Sequence, residues 1–225
     1  MSQNNVWEQI HKSKSWGRYP NEELVRFIGR NFFKYSIPER KNIKILEIGC
    51  GQGANIWFLA KEGFDSYGID ISISAIEKAN KYLNEFHHTS ANLEQGDAKN
   101  LQYSDNYFDA VIDVVALQHL TFTDHKIAYN EVKRVLKSNG LFWTMHIAKN
   151  SFGYGTGRQI DYETFTDIKE GPFAGKGQVT MLDQSDMKKV ITESNLEIIS
   201  LEKQINTYNN LKDSLIHWLI TCKTN

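Results

Sequence analysis

The sequence predicts an α/β protein built on a mostly parallel sheet with helices on both faces. Three observations support this fold class. Short apolar runs alternate with helical patterns through the first 150 residues, and most of these runs end in glycine or aspartate. Two long strand-like runs close the chain with only a short polar turn between them, so they should pair as an antiparallel hairpin.

The first strand is predicted at KILEI (44–48), a nearly all-apolar run typical of a parallel strand with both faces buried. A helix is expected over about 55–61 and a second strand at 66–69. The next helix carries a start signal, because Ser74 and Glu77 have the spacing of a capping box. Its apolar positions recur every three or four residues, at Ile73, Ile76, Ala79, Leu83 and Phe86.

Three further strands are expected within 89–96, at 108–115 and at 141–147. Asp124 is predicted to cap the helix before the last of them, and Gly140 to end that helix as a C′ glycine. The inward face of the helix is predicted at Ile127, Ala128, Val132, Val135 and Leu136.

The remaining chain differs in composition. Residues 151–178 hold six of the fifteen glycines and show no clean period, which predicts a long loop or a small insertion. A helix near 184–194 and the hairpin strands LEIISLEKQI and SLIHWLITCK should complete the sheet.

The composition excludes several classes of binding partner and cellular location. With 26 basic and 27 acidic residues the formal charge is −1, so we expect no nucleic-acid or membrane partner. Two cysteines suit a reducing compartment, and no apolar leader or membrane span is visible. We expect a single cytoplasmic domain over residues 1–225, and the sequence carries no signal of an oligomeric state.

The sharpest motif is the glycine-rich segment 47–53, which follows the first strand and precedes a helix. Glycines there let the backbone turn tightly and approach a ligand with free N–H groups. Asp70 ends the second strand and could accept both hydroxyls of a ribose, or only cap the next helix. Asp97 follows the third strand and could accept a bond from an adenine amine, or only serve a turn.

Together these pieces resemble the class I S-adenosylmethionine-dependent methyltransferases, most closely the methyltransferase type 11 small-molecule group. The resemblance spans about residues 43–147. It rests on the ordered motifs ILEIGCGQGANIWFLA, YGIDIS, GDA, FDAVIDVVALQHL and EVKRVLKSNGLFWTMH. It implies a Rossmann-like doubly wound sheet of seven strands with an antiparallel last strand. It also implies S-adenosylmethionine as cofactor and S-adenosylhomocysteine as product.

The resemblance assigns the cofactor contacts residue by residue. The glycine loop, with Cys50, would approach the methionine part, and the strand-end acids would hold the amino end, the ribose and the adenine. The backbone at the end of the fourth strand would border cofactor and acceptor. The residues so implied are Glu47, Gly49, Cys50, Gly51, Gly53, Asp70, Ile71, Asp97, Ala98, Asp113 and Val114.

The resemblance implies methyl transfer to a small molecule by in-line displacement. The fourth-strand motif is Asp-Val-Val-Ala, unlike the proline-containing tetrad of methylases that act on nucleic-acid amines, and no divalent-metal carboxylate set is obvious. Two alternatives remain, namely a nicotinamide-dependent oxidoreductase and a non-catalytic cofactor-binding subunit. The first would need a substrate domain of substantial size, and little chain remains after residue 147.

His119 follows the fourth strand and is the first choice for a general base, with simple packing as the alternative. His146 is a second choice. Within residues 1–36, Trp7, Trp16 and Arg18 predict either a lid whose arginine pairs with the cofactor carboxylate or a packed surface tail. The aromatic residues of 148–182 could wall an acceptor pocket, or pack locally, and 183–225 would complete the sheet.

Overall fold

A seven-stranded sheet organises the protein in the computed structural model, which describes residues 3–15 and 17–224. Its strands run in the spatial order β3-β2-β1-β4-β5-β10-β9. Their bounds are β1 Lys44–Ile48, β2 Asp65–Asp70, β3 Asn92–Gln95, β4 Phe108–Val114, β5 Leu136–Ile147, β9 Glu197–Tyr208 and β10 Asp213–Lys223. The predicted fold class is confirmed.

Strands β1 to β5 pair in parallel, whereas β10 lies antiparallel between β5 and β9. The strand order reverses at β1, with β2 and β3 on one side and β4 and β5 on the other. In an open α/β sheet the crevice outside the strand ends at such a point is where ligands bind.

Helices cover both faces of the sheet, and each face has its own apolar core. They are α1 Gln3–Ser13, α2 Glu22–Phe32, α3 Ile37–Arg40, α4 Ile56–Lys61, α5 Ile73–Tyr82, α6 Phe122–Val135 and α7 Gln184–Glu193. One core packs Tyr129 and Val132 of α6 against Met187 of α7 and the sheet. The other packs Phe27 of α2 and Leu59 of α4 against the opposite face.

The helix start predicted at Ser74 is wrong by two residues. Ser72 caps α5, because its hydroxyl accepts the Ala75 N–H at 3.1 Å. Of the predicted inward positions, Ile73 and Phe86 are exposed, and the helical register changes in a π-turn at Leu83–His87. Ser74 has a different partner, described below.

The predicted limits of α6 are also corrected. Thr121 is its cap rather than Asp124, since the Thr121 hydroxyl accepts the Asp124 N–H at 3.1 Å. Ile127 is exposed rather than inward. The helix passes directly into β5, so Gly140 lies inside that strand and does not end the helix.

Residues 151–178 contain structure that the sequence did not reveal. Together with residues up to 180 they form a small antiparallel sheet of β6 (Arg158–Asp161), β7 (Thr164–Thr166) and β8 (Val179–Thr180). Phe165, Phe173 and Val179 pack with Ile147 in a small core of their own. Across residues 3–15 and 17–224, no helix has the length and apolar character needed to span a bilayer.

Candidate active site

A cavity of about 460 Å³ lies outside the carboxyl ends of β1 to β4. The strand-end loops form one side, and helix α1 lies across its mouth. The opposite side is formed by side chains from three distant segments, which we call the acceptor-side wall: Gln3, Trp7, His119, Phe173, Lys176 and Gln178.

The glycine loop after β1 contributes Gly49, Cys50 and Gly51 to the cavity lining. Gly51 has φ +53, and among the described residues a Cβ built there would meet only the His11 ring, at 3.7 Å. Since L side chains rarely adopt that conformation, glycine keeps the backbone close to the cavity. A larger side chain would fill the space between the loop and α1.

Gly53 does not line the cavity, contrary to the prediction. With φ +84, a Cβ at this position would approach Leu83 Cδ1 at 2.9 Å and Ala79 Cβ at 3.2 Å. This glycine therefore allows α5 to pack closely against the loop. Cys50 also turns its side chain away, into a core cluster with Ile56, and burial raises the pKa of its thiol.

Asp70 lies at the end of β2 and lines the cavity beside Ile71. Its Oδ2 accepts the Gly51 N–H and its Oδ1 accepts the Ser72 N–H, each at 2.9 Å. A carboxylate has about four acceptor sites, so each oxygen retains capacity for a ligand hydroxyl. Burial raises the pKa of Asp70, while the adjacent backbone donors and His11 act in the opposite direction.

Asp97 and Ala98 line the next part of the cavity, beyond β3. Asp97 Oδ1 accepts the Lys99 N–H at 2.9 Å, which fixes the turn. Lys99 Nζ lies 3.2 Å from Asp124 Oδ2, so these two charges at the cavity rim pair with each other.

Glu47 has an incompletely bonded carboxyl group at the cavity edge. Its Oε1 accepts a bond from Asn55 Nδ2 at 2.6 Å, whereas Oε2 is buried and has no hydrogen-bond partner within residues 3–15 and 17–224. Burial raises the pKa of Glu47 to about 8, and repulsion from Asp113 and Asp70 adds to this. Such an atom is suited to receive a donor from a bound molecule.

Asp113 serves the turn after β4 and is not among the residues that line the cavity. Its Oδ1 accepts the N–H groups of Ala116 and Leu117 at 2.8 and 3.0 Å, and its Oδ2 accepts the Thr144 hydroxyl at 2.6 Å. Burial raises its pKa to about 6. Val114, the other predicted residue of this strand end, does line the cavity.

His119 lies in the 3₁₀ turn Leu117–His119 and forms part of the acceptor-side wall. Its Nδ1 is 2.9 Å from the Gln178 carbonyl oxygen. A carbonyl only accepts, so Nδ1 carries the hydrogen and Nε2 keeps a lone pair. Burial lowers the pKa of His119 to about 4, which keeps the ring neutral at neutral pH.

His146 does not line the cavity. It is fully buried beneath α6, where its Nε2 lies 3.1 Å from His125 Nε2. The structure thus brings only His119 of the two candidate bases to the cavity.

Helix α1 is the part of the site that sequence reasoning missed as a structured element. At the middle of this helix the Glu8 carboxylate accepts the Ser72 and Ser74 hydroxyls at 2.6 and 2.7 Å. These bonds lower the pKa of Glu8 to about 2. At its first residue Gln3 Oε1 accepts the Gln178 N–H at 2.8 Å. The available signal was the spacing of Trp7, Ile10 and His11.

Arg18 does not face the cavity, contrary to the prediction that it pairs with a cofactor carboxylate. Its guanidinium lies 5.9 Å from the Tyr82 ring centroid and 5.5 Å from that of Phe86. Trp16, predicted beside it, lies outside the described residues. Among residues 3–15 and 17–224, no group of three or more His, Cys, Asp or Glu side chains could hold a metal ion.

Comparison with known proteins shows what this arrangement is similar to. Residues 46–144 match the family model described as "Methyltransferase domain". A sterol 24-C-methyltransferase of Gibberella zeae is 31% identical over 126 residues, which are 54% of this chain and 32% of that protein. A ubiquinone biosynthesis O-methyltransferase of Rickettsia akari is 28% identical over 160 residues, 71% of this chain and 61% of that protein. The matches thus span less than two thirds of these relatives.

Solved structures agree on the fold. A crystal structure described as a SAM-dependent methyltransferase of Methanosarcina mazei superposes with a TM-score of 0.69 at 20% identity, covering 80% of this chain and 92% of that chain. The cofactor of this family is S-adenosylmethionine, and S-adenosylhomocysteine is its product. The matched segment shows that the chain contains a methyltransferase domain, and the sheet topology and these relatives support its place among the class I S-adenosylmethionine-dependent methyltransferases.

Proposed function

We propose that this protein transfers the methyl group of S-adenosylmethionine to a small-molecule acceptor held in the same cavity. The observation that carries this proposal is that one cavity is lined both by the strand-end acids and by the acceptor-side wall. A purely cofactor-binding subunit has no need of a second wall that presents a neutral histidine.

The strand-end residues fit the cofactor chemically. Glu47 offers a buried acceptor without a partner, suited to the ammonium of the methionine part. Asp70 keeps acceptor capacity for the ribose hydroxyls, and Asp97 with Ala98 would border the adenine. Because Gly51 has no side chain, the methionine part could approach the loop backbone closely. When bound, S-adenosylmethionine supplies an electrophilic methyl group on a sulfonium.

His119 would accept the proton of the acceptor's nucleophile at Nε2. The Gln178 carbonyl fixes the tautomer that leaves this nitrogen unprotonated, and the Gln178 side-chain amide donates to the His119 carbonyl at 3.0 Å. The paired bonds therefore hold the ring in place. A base is needed for acceptors whose nucleophile carries a proton at working pH.

Helix α1 would exclude water from the reacting groups. It bonds at Glu8 to the cofactor side of the cavity and at Gln3 to the acceptor-side wall, with Trp7 and His11 lining the space between. We propose that α1 is the lid, and that its displacement admits the cofactor. The predicted lid function thus rests on α1 rather than on Arg18.

Calorimetry tests the cofactor part of the proposal. The purified protein should bind S-adenosylmethionine and S-adenosylhomocysteine, with no detectable binding of NAD. Asp70→Ala should weaken binding by about 1.5–3 kcal/mol, since it removes charge-assisted hydrogen bonds to the ribose. The control is Asp105→Ala, which removes a carboxylate that is 68% exposed. Preference for NAD, or an unchanged affinity in folded Asp70→Ala, would contradict the assignment.

A panel of acceptor classes tests the transfer itself, with S-adenosylhomocysteine formation as the signal. We expect acceptor-dependent product formation that Asp70→Ala reduces in parallel with cofactor affinity. If the protein binds the cofactor but none of the acceptor classes yields S-adenosylhomocysteine, the result would instead support a non-catalytic cofactor-binding subunit.

A further inference from the structure

The side-chain amide of Gln118 uses only one of its two polar arms. Gln118 lies in the 3₁₀ turn Leu117–His119 and is 2% exposed, yet it lines the cavity. Its Oε1 accepts the Ile147 N–H at 3.0 Å. Because a backbone N–H only donates, this contact identifies the oxygen of the amide, and Nε2 is the other arm. Within residues 3–15 and 17–224, Nε2 has no hydrogen-bond partner.

A buried amide donor without a partner requires a physical explanation, because leaving it unpaired costs free energy. The bond to Ile147 accounts for the oxygen arm and joins the turn to β5. It does not account for the two N–H groups of Nε2. Since Gln118 is buried and lines the cavity, the cavity is where a partner for these N–H groups can bind.

The turn that carries Gln118 is held in place by its own hydrogen bonds. Asp113 accepts the N–H groups of Ala116 and Leu117 at 2.8 and 3.0 Å. Val115 has φ +57, a conformation that a β-branched residue adopts only where its surroundings enforce it. The position of the amide is therefore set before any ligand binds.

The same turn lies directly against the glycine loop. A Cβ at Gly49 would overlap with Ala116, so the loop and the turn are packed without space between them. In the proposed function the glycine loop approaches the methionine part of the cofactor, which carries the methyl group. Gln118 and its neighbour His119 both line the cavity next to that loop.

The two neighbouring side chains have opposite hydrogen-bonding roles. Gln118 Nε2 only donates, whereas the unprotonated Nε2 of His119 only accepts. A carbonyl oxygen matches the amide, because it accepts up to two hydrogen bonds and donates none. A hydroxyl matches His119, because it has a proton to donate. A ligand without the carbonyl oxygen would leave the amide unpaired, and sites of this kind discriminate strongly against such ligands.

Resting on the proposed function, we propose that the methyl acceptor is a hydroxycarbonyl compound whose carbonyl oxygen accepts a hydrogen bond from Gln118 Nε2. Gln118 is thus a specificity-determining residue of the acceptor site. It selects the carbonyl group and orients the acceptor, and the hydroxyl is directed to His119.

Matched pairs of probes that differ in the carbonyl oxygen test this proposal. The pairs are 4-hydroxyacetophenone with 4-ethylphenol, 3-hydroxyacetophenone with 3-ethylphenol, and 4-hydroxy-2-butanone with 3-methyl-3-buten-1-ol. Binding of each to the full chain is measured by calorimetry in saturating S-adenosylhomocysteine. We expect at least one carbonyl probe to bind about tenfold more tightly than its partner.

Gln118→Met removes both amide donors and should abolish that preference. It also leaves the Ile147 N–H without its acceptor, so thermal stability should fall. The control is Gln102→Met, at an exposed glutamine that does not line the cavity, and it should leave the preference unchanged.

A measurement on the unsubstituted protein tests the same contact where Gln118→Met does not fold. In nitrogen-15 NMR spectra, the side-chain amide signal of Gln118 should shift when the preferred carbonyl probe binds and stay in place with its partner. Equal binding within every pair, binding of none of the carbonyl probes, or an unshifted amide signal would overturn the proposal, while binding of S-adenosylhomocysteine would still support the proposed function. A tenfold loss of S-adenosylhomocysteine affinity in folded Gln118→Met would also overturn it, because the amide would then serve the cofactor.

Discussion

The two sides of the cavity are built in different ways. The cofactor side is formed by residues at or just beyond the carboxyl ends of four neighbouring strands, so the sheet alone brings Glu47, Asp70 and Asp97 together. The acceptor-side wall combines α1, the turn at His119 and the segment 173–178, which meet only through side-chain contacts. The geometry of the cofactor side depends on strand pairing, whereas that of the acceptor-side wall depends on how its three segments pack against one another. Substitutions should therefore separate cofactor binding from turnover.

The largest effect is expected at the glycine loop. Gly51→Val places a branched side chain between the loop and His11, so cofactor binding should be lost beyond detection by calorimetry. The positive φ adds strain of about 1–3 kcal/mol to the folded state.

Gly155→Val is the matched control, because Gly155 has φ +74 with open space around it and does not line the cavity. It should lose comparable thermal stability and keep cofactor affinity. If both variants lose stability and both bind normally, Gly51 serves only the turn.

The second effect concerns the acceptor-side wall. His119→Gln removes the unprotonated Nε2, so kcat should fall about 10²-fold or more for an acceptor with a proton to lose. S-adenosylhomocysteine affinity should change less than threefold, since the histidine lies on the other side of the cavity. His88→Gln, at an exposed histidine, is the control. An unchanged kcat would assign His119 to packing alone.

These two sides also differ in how far the sequence could predict them. The ends of β1 and β2 are marked by a local pattern, an apolar run that leads into glycine or aspartate, so the position of Asp70 follows from the sheet. The bond between Gln3 and Gln178 joins residues 175 positions apart, and no periodicity marks such a contact. The prediction for Arg18 was wrong for the same reason. Its guanidinium packs near the rings of Tyr82 and Phe86, which belong to α5 and to the π-turn after α5.

Local patterns were also wrong where two residues competed for one position. Both Ser72 and Ser74 can cap a helix and both hydroxyls donate to Glu8, but it is the Ser72 oxygen that accepts the Ala75 N–H. Gly53 also fits a ligand-binding glycine pattern, yet the space where its side chain would lie is occupied by Leu83. At Gly53 the deciding group, Leu83, lies elsewhere in the chain.

A smaller effect is expected where α1 joins the cofactor side. Glu8→Gln weakens the bonds to Ser72 and Ser74, but the Glu8 side chain is 19% exposed, so solvent screening reduces the loss. We expect cofactor affinity to fall about threefold to tenfold. Hydrogen exchange across residues 3–13 should become faster, while the sheet keeps its protection. Glu85→Gln, at an exposed carboxylate beyond α5, is the control, and equal exchange in both variants would contradict the lid.

A pH dependence of cofactor affinity should also arise on the cofactor side. Glu47 has a pKa of about 8 in the free protein, so its carboxyl is mostly protonated at pH 7. An ammonium placed beside it favours the ionised form, and binding then releases a proton. Affinity for S-adenosylhomocysteine should rise from pH 6 to pH 8, by less than tenfold per unit, and stop rising near pH 8. Above about pH 8 the ligand's amino group begins to lose its own proton, which reverses the gain.

The stability of the folded protein should also depend on pH through the Glu47 carboxyl, but it should fall where cofactor affinity rises. Because the folded-state pKa of Glu47 is raised above its ordinary value of 4.5 to about 8, the native state binds more protons across this interval. Stability of the ligand-free protein should therefore fall as pH rises from about 5 to 8, and Glu47→Gln should remove that slope.

Calorimetry in buffers of different ionisation enthalpy counts the protons released on binding of S-adenosylhomocysteine. We expect a release approaching one proton at pH 7 in the native protein and none from this site in Glu47→Gln. Equal proton release in the two proteins would show that the cofactor's ammonium lies elsewhere, and would leave the buried oxygen of Glu47 without a ligand.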